Sequence, residues 1–143
     1  MSSVTRATTI VVRNDLAELE RMNRAIEKFG SRVGLGPKMI FELNLAVSEI
    51  VTNVISYGYD DGREHEIIVR LVAHTGEVVV EVEDDGRPFD PLSVAEPVLD
   101  APLEERPIGG LGMHLVRKTT DGLEYHRRQD KNVLVLRKRT SIV

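Results

Sequence analysis

Apolar and polar positions along this chain follow two different periods, and each period predicts one kind of element. Five segments are rich in β-branched residues or alternate in polarity, which is typical of strands: residues 6–13, 65–73, 77–83, 122–129 and 132–139. Three segments have helical spacing: one capped by Asn14 or Asp15 and running to about Phe29, one over 38–57, and one over about 111–119. The pattern therefore predicts a sheet accompanied by three helices.

Glycine, proline and aspartate mark the predicted ends of these elements. The stretch GSRVGLGP is expected to break the first helix, whereas Pro37 suits the first turn of the second helix and Gly58 suits its end. His74-Thr75-Gly76 and Asp130-Lys131 are the predicted turns of two hairpins. Residues 84–110 form a long irregular segment, and such a segment inside a compact domain is usually functional or mobile.

The order of elements is β-α-α-β-β-loop-α-β-β, in which hairpins dominate. It predicts one domain over residues 1–143, of the α+β class. We expect a two-layer α/β sandwich whose sheet is mixed but mainly antiparallel, with helices on one face. A doubly wound nucleotide-binding fold is not expected, because strands and helices do not alternate. The apolar face of the first helix is predicted to contain Leu16, Leu19, Met22, Ala25 and Ile26.

The second helix combines a broad apolar face with a narrow polar stripe. The apolar face contains Met39, Ile40, Leu43, Val47, Ile50, Val51 and Val54. The stripe contains Glu42, Glu49, Asn53 and Ser56, whose spacings place them on one side of the helix. The amide oxygen of Asn53 suits magnesium, and the carboxylate of Glu49, one turn away, could orient or deprotonate a hydroxyl. The alternative is an ordinary solvent-facing stripe.

Two glycine-containing segments follow. Asp84 comes at the end of a predicted strand, where its carboxylate could accept a hydrogen bond from an exocyclic amine such as that of adenine, and Gly86 lets the backbone approach a flat ring. The alternative is a plain turn. The run from Gly109 to Gly112 leads into a helix, whose exposed N–H groups suit phosphate. The alternative there is a flexible connection. Neither a Walker loop nor a dinucleotide fingerprint is present.

Composition narrows the classes of protein to which these motifs could belong. Hydrophobic residues make up 41% of the chain and charged residues 29%, as in a soluble globular protein. We expect neither a membrane span nor a secretory signal, and hence a cytoplasmic protein. With no cysteine and with four histidines that lack ligand spacing, a protein-held zinc site is not expected.

The net charge is −4, but basic residues cluster between Arg117 and Arg139. Nucleic-acid binding by this region is one interpretation. Solvated strand faces and helix ends with a basic bias are the preferred one, because the overall balance is acidic. No nucleic-acid partner is therefore expected.

Three segments together resemble the GHKL ATPase superfamily, which includes gyrase B, MutL and the catalytic domain of histidine kinases. They are LNLAVSEIVTNVISYGY, VEVEDDGRPFDP and GGLGMHLVRKTTDGLEYHRRQDKNVLVLRKR. The likeness is strongest to stand-alone anti-sigma-factor serine kinases, and the stretch PFDP at 88–91 favours that branch over gyrase or MutL. The resemblance implies the Bergerat fold of this superfamily, with ATP and Mg²⁺ as cofactors.

The resemblance also implies a role for each site residue. Glu49 would be the catalytic carboxylate that polarises the attacking hydroxyl, and Asn53 would hold the magnesium ion that bridges the ATP phosphates. Asp84 would bind the adenine amine, with Gly86 giving room for the ring. Around the second glycine segment, the nucleotide-binding residues would be Arg106, which could reach the γ-phosphate, and Gly109, Gly110, Gly112 and Met113.

The implied substrate is a serine of an anti-anti-sigma protein, and the other implied partner is a sigma factor; such kinases are commonly homodimers. Two departures leave other functions open. Tyr57 stands where relatives often carry His or Lys, and Lys131-Asn132 stands where they often show Gly-Thr, so one nucleotide contact is unassigned. The chain could instead be a nucleotide-gated switch that binds a partner without phosphotransfer. A plain interaction domain using the basic C-terminal strands is the third hypothesis.

Overall fold

The computed structural model describes residues 6–90 and 110–140. Within them a short 3-10 helix, Leu16–Glu18, precedes the first α-helix. The remaining elements in chain order are β1 (Arg6–Arg13), α1 (Leu19–Arg32), α2 (Pro37–Tyr57), β2 (Glu66–His74), β3 (Glu77–Asp84), α3 (Gly110–Thr119), β4 (Gly122–Arg128) and β5 (Lys131–Arg139). The predicted order of strands and helices is confirmed.

The five strands form one sheet in the order β1-β2-β3-β5-β4. All four described pairings are antiparallel, which confirms the predicted α+β sandwich and replaces the mixed sheet with an antiparallel one. In the pairing of β3 with β5, Asp84 lies directly opposite Asn132. Residues opposite each other in a sheet project to the same face, so this register places two polar side chains together at one end of the two strands.

The core lies between the sheet and the three helices. Alternate residues of the strands are buried on the face toward the helices, including Ile67, Val69 and Leu71 of β2. Although no membrane span was expected, α2 is long and apolar enough to cross a membrane by length and composition. Its buried residues pack instead into the core cluster with the sheet. Burial of each such side chain contributes about 1.5–3 kcal/mol.

The first helix differs from its prediction at both ends. Asp15 caps the 3-10 turn, where its carboxylate accepts a hydrogen bond from the Ala17 N–H at 3.0 Å, and Leu16 in that turn is 53% exposed rather than part of the apolar face. At the other end, α1 passes through Gly30 and ends at Arg32. A Cβ on Gly30 would lie 2.7 Å from Cγ1 of Ile40, so this glycine permits close packing of α1 on α2 and does not break the helix.

The last hairpin turns one residue earlier than predicted. Gln129 and Asp130 are the two turn residues, with φ of 51° and 62°, and Arg128 pairs with Lys131. Two consecutive residues with positive φ form the tight turn whose twist matches antiparallel strands. This turn fixes the register of β5, and with it the position of Asn132 on the inner face of the sheet.

Candidate functional site

A narrow cleft separates the C-terminal half of α2 from the ends of β3 and β5. Its lining residues are Ile50, Asn53, Val54, Gly58, Val82, Asp84, Phe89, Tyr125, Asn132 and Leu134. The cavity inside it measures about 20 Å³, room for roughly one water molecule. Among the described residues, four polar or charged side chains are buried, and three of them, Asn53, Asp84 and Asn132, line this cleft. Buried polar groups concentrated in one place indicate a binding site.

The Asp84 carboxylate is held at the end of β3 by two hydrogen bonds to one oxygen. Its Oδ1 accepts from the backbone N–H of Gly86 and from Nδ2 of Asn132, each at 2.9 Å. Burial raises the pKa of this carboxyl above its ordinary value, while the bonds from Asn132 and Gly86 act in the opposite direction. Because both described bonds end on Oδ1, Oδ2 is left to accept a hydrogen bond from a ligand in the cleft.

Gly86 lies where two backbones meet. A Cβ at this position would be 2.6 Å from the carbonyl oxygen of Gly58, which follows the last turn of α2. Arg87, the next residue, donates its backbone N–H to the same Gly58 carbonyl oxygen at 2.9 Å. The guanidinium of Arg127 donates to the Gly86 carbonyl at 2.8 Å. The segment Asp84–Arg87 is thus fastened to α2 on one side and to β4 on the other, and only glycine fits at its centre.

Asn53 and Glu49 lie one turn apart on α2, and their environments differ. Asn53 is 6% exposed and lines the cleft, whereas Glu49 is half-buried. Within the described ranges neither side chain makes a hydrogen bond to the protein. An amide and a carboxylate held one turn apart are available to a cation and to a reacting hydroxyl.

The first turn of α3 contacts the Glu49 carboxylate. A Cβ on Gly112 would lie 2.7 Å from Cδ of Glu49 and nearer still to one of its oxygens, so a larger side chain would displace the carboxylate. Gly110 begins the helix two residues earlier. The positive end of a helix dipole therefore lies beside Glu49, at a place that also suits phosphate.

Three other residues predicted to contact the nucleotide are Met113, Arg106 and Gly109. Met113 is 0% exposed and belongs to the core cluster, so its side chain is not a nucleotide contact and only its backbone could be one. Arg106 and Gly109 lie outside the described residues, so both stay predictions. The described part of the chain has no group of three His, Asp or Glu side chains that could hold a metal ion. A cation at Asn53 would therefore need oxygen ligands from the nucleotide and from water.

The polar stripe predicted on α2 divides into different environments. Glu42 forms an ion pair at 3.4 Å with Lys138, whose side chain is only 8% exposed, and Ser56 is solvent-exposed. Lys138 also donates a hydrogen bond to the carbonyl of Thr119 at the end of α3. Glu42 thus contributes to the structure, and only Glu49 and Asn53 of the stripe belong to the site.

Sequence reasoning missed the side chains that position Asp84. Asn132 donates to both Asp84 and the carbonyl of Arg87, and the hydroxyl of Tyr125 donates to the Asn132 side-chain oxygen. The alternation of β5 could have placed Asn132 inward, with Leu134 and Leu136. Its partner Asp84 depends on strand register, which no local pattern of residues fixes.

A histidine at the rim of the cleft connects two loops. His65 is in hydrogen-bond contact with Asp61 at 2.7 Å and with Asp85 at 3.1 Å, and its ring stacks on Tyr59 at 4.3 Å. The hydrogen bond to Asp61 raises the pKa of His65, and the charge of Asp85 acts in the same direction. Asp85 is the residue after Asp84, so the hydrogen bonds of His65 help to hold the loop that follows Asp84.

Half of the eight basic residues between Arg117 and Arg139 make the following contacts within the fold. Lys131 pairs with Glu83 at 3.5 Å, and Arg137 pairs with Glu77, also at 3.5 Å. With Arg127 bonded to Gly86 and Lys138 buried, these contacts account for four of the cations in the segment. They favour a structural role for the basic bias over a nucleic-acid surface.

Comparison with known proteins agrees with this geometry. A family model described as "Histidine kinase-like ATPase domain" matches residues 12–138. Serine/threonine-protein kinase BtrW of Bordetella bronchiseptica is 29% identical over 111 residues, 78% of each chain. Serine-protein kinase RsbW of Listeria monocytogenes is 28% identical over 120 residues, 78% of this chain and 73% of that protein. An anti-sigma F factor of Clostridium perfringens is 29% identical over 98 residues, 68% of this chain and 70% of that protein.

Solved structures with low sequence identity share the fold. The RsbU and RsbW domains of a Mycobacterium tuberculosis protein give a TM-score of 0.67 at 15% identity, covering 94% of this chain and 32% of that one. A histidine kinase domain of the Erythrobacter litoralis blue-light activated histidine kinase gives 0.52 at 21% identity, covering 86% of this chain and 59% of that one. This chain therefore spans only part of each solved chain.

Proposed function

Because this chain belongs to the histidine kinase-like ATPase domain family, we propose that it is a protein kinase that binds Mg-ATP in the cleft and phosphorylates a serine of a protein partner. The observation that carries the proposal is the concentration of Asn53, Asp84 and Asn132, three of the four described buried polar side chains, in one cleft. Glu49 lies one turn from Asn53, in contact with Gly112.

The nucleotide would lie with its base at the strand end of the cleft and its phosphates toward α2 and α3. Oδ2 of Asp84 accepts a hydrogen bond from the adenine amine, and Gly86, which has no side chain, leaves room beside the ring. The cavity of about 20 Å³ is too small for a purine, so Phe89, which lines it, moves aside on binding. Asn53 would supply one oxygen to Mg²⁺, and phosphate oxygens and water would complete the coordination that magnesium prefers.

In the transfer step, the serine oxygen forms a bond to the γ-phosphorus as the bond to the β,γ-bridging oxygen breaks, and ADP leaves. The serine proton passes to the Glu49 carboxylate or through it to water. Positioning and charge stabilisation supply most of the rate enhancement in such reactions. Here the first turn of α3, together with a bound magnesium ion, would stabilise the charge of the phosphates. General-base assistance by a carboxylate adds about 10²- to 10⁴-fold.

The relatives' names support a class of partners. One relative is named a serine/threonine-protein kinase, one a serine-protein kinase and one an anti-sigma F factor. We assign this chain the corresponding role: it phosphorylates an anti-anti-sigma protein and sequesters a sigma factor, as a homodimer in a bacterial cytoplasm, and so regulates transcription. The sequence similarity supports the kinase and anti-sigma role as a class, and it names no individual partner.

The decisive experiment is phosphotransfer with purified protein. Parent protein, Mg-ATP and a candidate anti-anti-sigma protein should yield phosphoserine, detected by mass spectrometry, and Glu49→Gln should abolish it while ATP binding persists. Glu42→Gln is the matched control, because Glu42 is a carboxylate of the same helix that pairs with Lys138 outside the cleft. Normal phosphorylation by Glu49→Gln would show that the role assigned to Glu49 is wrong.

A second candidate is a nucleotide-gated binding switch that transfers phosphate slowly or never. Its support is Tyr57, which stands where the resemblance implies a His or Lys and whose ring packs 5.9 Å from that of Phe89. No cation is supplied to the phosphates from that position. Calorimetry that shows ATP binding together with nucleotide-dependent sigma-factor binding, but no phosphoserine on the same set of partners, would favour this candidate.

A further inference from the structure

The Asn132 side chain has a partner for each of its hydrogen-bonding functions. Its amide nitrogen donates to Oδ1 of Asp84 and to the backbone carbonyl of Arg87, both at 2.9 Å. Its oxygen accepts from the hydroxyl of Tyr125. Because a carboxylate and a carbonyl can only accept at these positions, the orientation of the amide is determined by its neighbours. The side chain is 5% exposed and cannot exchange these partners for water.

This arrangement decides which atoms of Asp84 a ligand meets. Oδ1 is occupied by two donors, from Asn132 and Gly86. Oδ2 is the atom that can face a base in the cleft, and an ionised oxygen accepts a hydrogen bond from an amine but repels a carbonyl oxygen. The purine 6-position carries an amine in adenine and a carbonyl in guanine, so the charge state of Asp84 separates the two bases.

We propose that Asn132, oriented by Tyr125, is a specificity-determining residue: it occupies Oδ1 of Asp84, leaves Oδ2 directed at the cleft, and thereby selects a 6-amino purine over a 6-oxo purine. The proposal rests on the proposed nucleotide-binding function and goes beyond it. It assigns a role to Asn132, one of the two residues at which the sequence left a nucleotide contact unassigned. It also uses Tyr125, to which no function had been assigned.

The Asn132 hydrogen bond opposes the effect of burial on the Asp84 carboxyl. Asp84 is 5% exposed, and burial favours its neutral form. The Asn132 bond is the largest influence lowering the pKa of Asp84, followed by the Gly86 N–H; the Arg127 cation acts in the same sense, whereas the Asp85 charge opposes it. Tyr59 also interacts with Asp84, and burial raises the pKa of Tyr59 further above its ordinary value.

Removal of the Asn132 amide therefore has two linked consequences. Asp84 becomes protonated at a higher pH than in the parent, because the main stabiliser of its charge is gone. A protonated carboxyl can donate to the 6-oxo group of guanine, so discrimination falls most at acidic pH. A residue that merely filled space would leave both the base preference and its pH dependence unchanged.

The test measures dissociation constants of the Mg complexes of ATP and GTP by calorimetry between pH 5.5 and 8, on the full chain. The variants are Asn132→Leu, close in volume but without hydrogen bonds, and Tyr125→Phe, which lacks only the hydroxyl. Lys131→Gln is the control, since it changes the adjacent residue of the same strand on its exposed side. Circular dichroism confirms folding.

We expect the ATP preference over GTP to fall on the order of tenfold in Asn132→Leu, with ATP affinity declining at a higher pH than in the parent. Tyr125→Phe should show a smaller change in the same direction, and it carries the test if Asn132→Leu does not fold. An unchanged base ratio and pH midpoint in the folded variants would overturn the role of Asn132 alone. A parent that binds neither nucleotide would overturn the proposed function and this assignment together.

Discussion

The two ends of the cleft are built differently. At the base end, Asp84 and Asn132 come from neighbouring strands, and hydrogen bonds from Gly86, Asn132 and Tyr125 hold them in place. At the phosphate end, Glu49 and Asn53 come from a single helix, and no hydrogen bond within the described residues holds either side chain. The base end is preorganised by side-chain hydrogen bonds, whereas in the described part of the chain the phosphate-end side chains are positioned by α2 and, for Glu49, by its contact with Gly112.

The difference matches the two tasks. Recognition of one base requires donors and acceptors of fixed orientation, and a bonded network in a buried site supplies them. A cation and a transferring phosphoryl group need ligands that are not already occupied by the protein. Substitutions at the base end should therefore change selectivity and stability, and substitutions at the phosphate end should change metal dependence and rate.

The largest expected effect is at Asn53. Asn53→Ala should weaken ATP binding in the presence of magnesium on the order of 100-fold, because it removes the only protein ligand assigned to the cation. ATP affinity in EDTA and the urea midpoint should stay near those of the parent. Titration calorimetry with and without EDTA measures this difference. An equal loss of affinity in both conditions would contradict a metal role and would place Asn53 with the base end.

One added methyl group tests both ends with the same chemistry. Gly86→Ala meets the rigid backbone oxygen of Gly58, so it should lower the free energy of unfolding by about 2 kcal/mol. Gly112→Ala meets the end of the flexible Glu49 side chain, so the free energy of unfolding should change by less than about 1 kcal/mol while the phosphotransfer rate falls about tenfold to 100-fold. Urea unfolding and a phosphotransfer rate assay distinguish the two variants. Equal changes in the free energy of unfolding and in the rate would contradict the proposed difference between the two ends of the cleft.

Asp84→Asn should reduce the ATP preference over GTP about tenfold, since an amide can donate to a 6-oxo group whereas an ionised carboxylate cannot. The variant should bind its preferred nucleotide with a weaker pH dependence than the parent, because the carboxyl whose pKa burial raises is gone. Fluorescence or calorimetric titration at three pH values measures both. A pH dependence equal to that of the parent would move the titrating group elsewhere.

The smallest expected effect is at the rim. The pKa of His65 is raised in the folded protein above its ordinary value of 6.5, so its stabilising contribution is complete below that value and is lost as pH rises through the folded pKa. His65→Asn should remove this slope and change stability at pH 6 by less than about 1 kcal/mol. Urea unfolding at pH 6 and 8 detects it. A parent slope that survives in His65→Asn would exclude this histidine as its source.

Much of the fold follows from local pattern. Burial on one side imposes the period of two on β2 and β3 and the helical period on α2, so the sequence predicts these elements within a residue or two. The roles of Gly30 and Lys138 do not follow, because each depends on a contact with a distant element. Gly30 of α1 packs against Ile40 of α2. Lys138 is buried where it forms an ion pair with Glu42 and a hydrogen bond to the end of α3.

The site divides in the same way. Asn53 and Glu49 share one helix, so their proximity follows from helical geometry, and Asp84-x-Gly86 is a local motif. Asn132 is nearly fifty positions from Asp84 along the chain, and they meet only because a two-residue turn sets the register of β5. A pattern read along the chain gives the residues of one element, and the pairing of strands supplies the rest.

The last strand has a mechanical consequence. Asn132 near its start is bonded to the base-binding loop, and Lys138 near its end is bonded to the last residue of α3 and to α2. Six residues of extended chain span about 20 Å and stretch very little. β5 thus links the base end of the cleft to the C-terminal end of α3, the helix that contacts Glu49, at a nearly fixed distance. Insertion or deletion of one residue in β5 would therefore shift both ends of the cleft together.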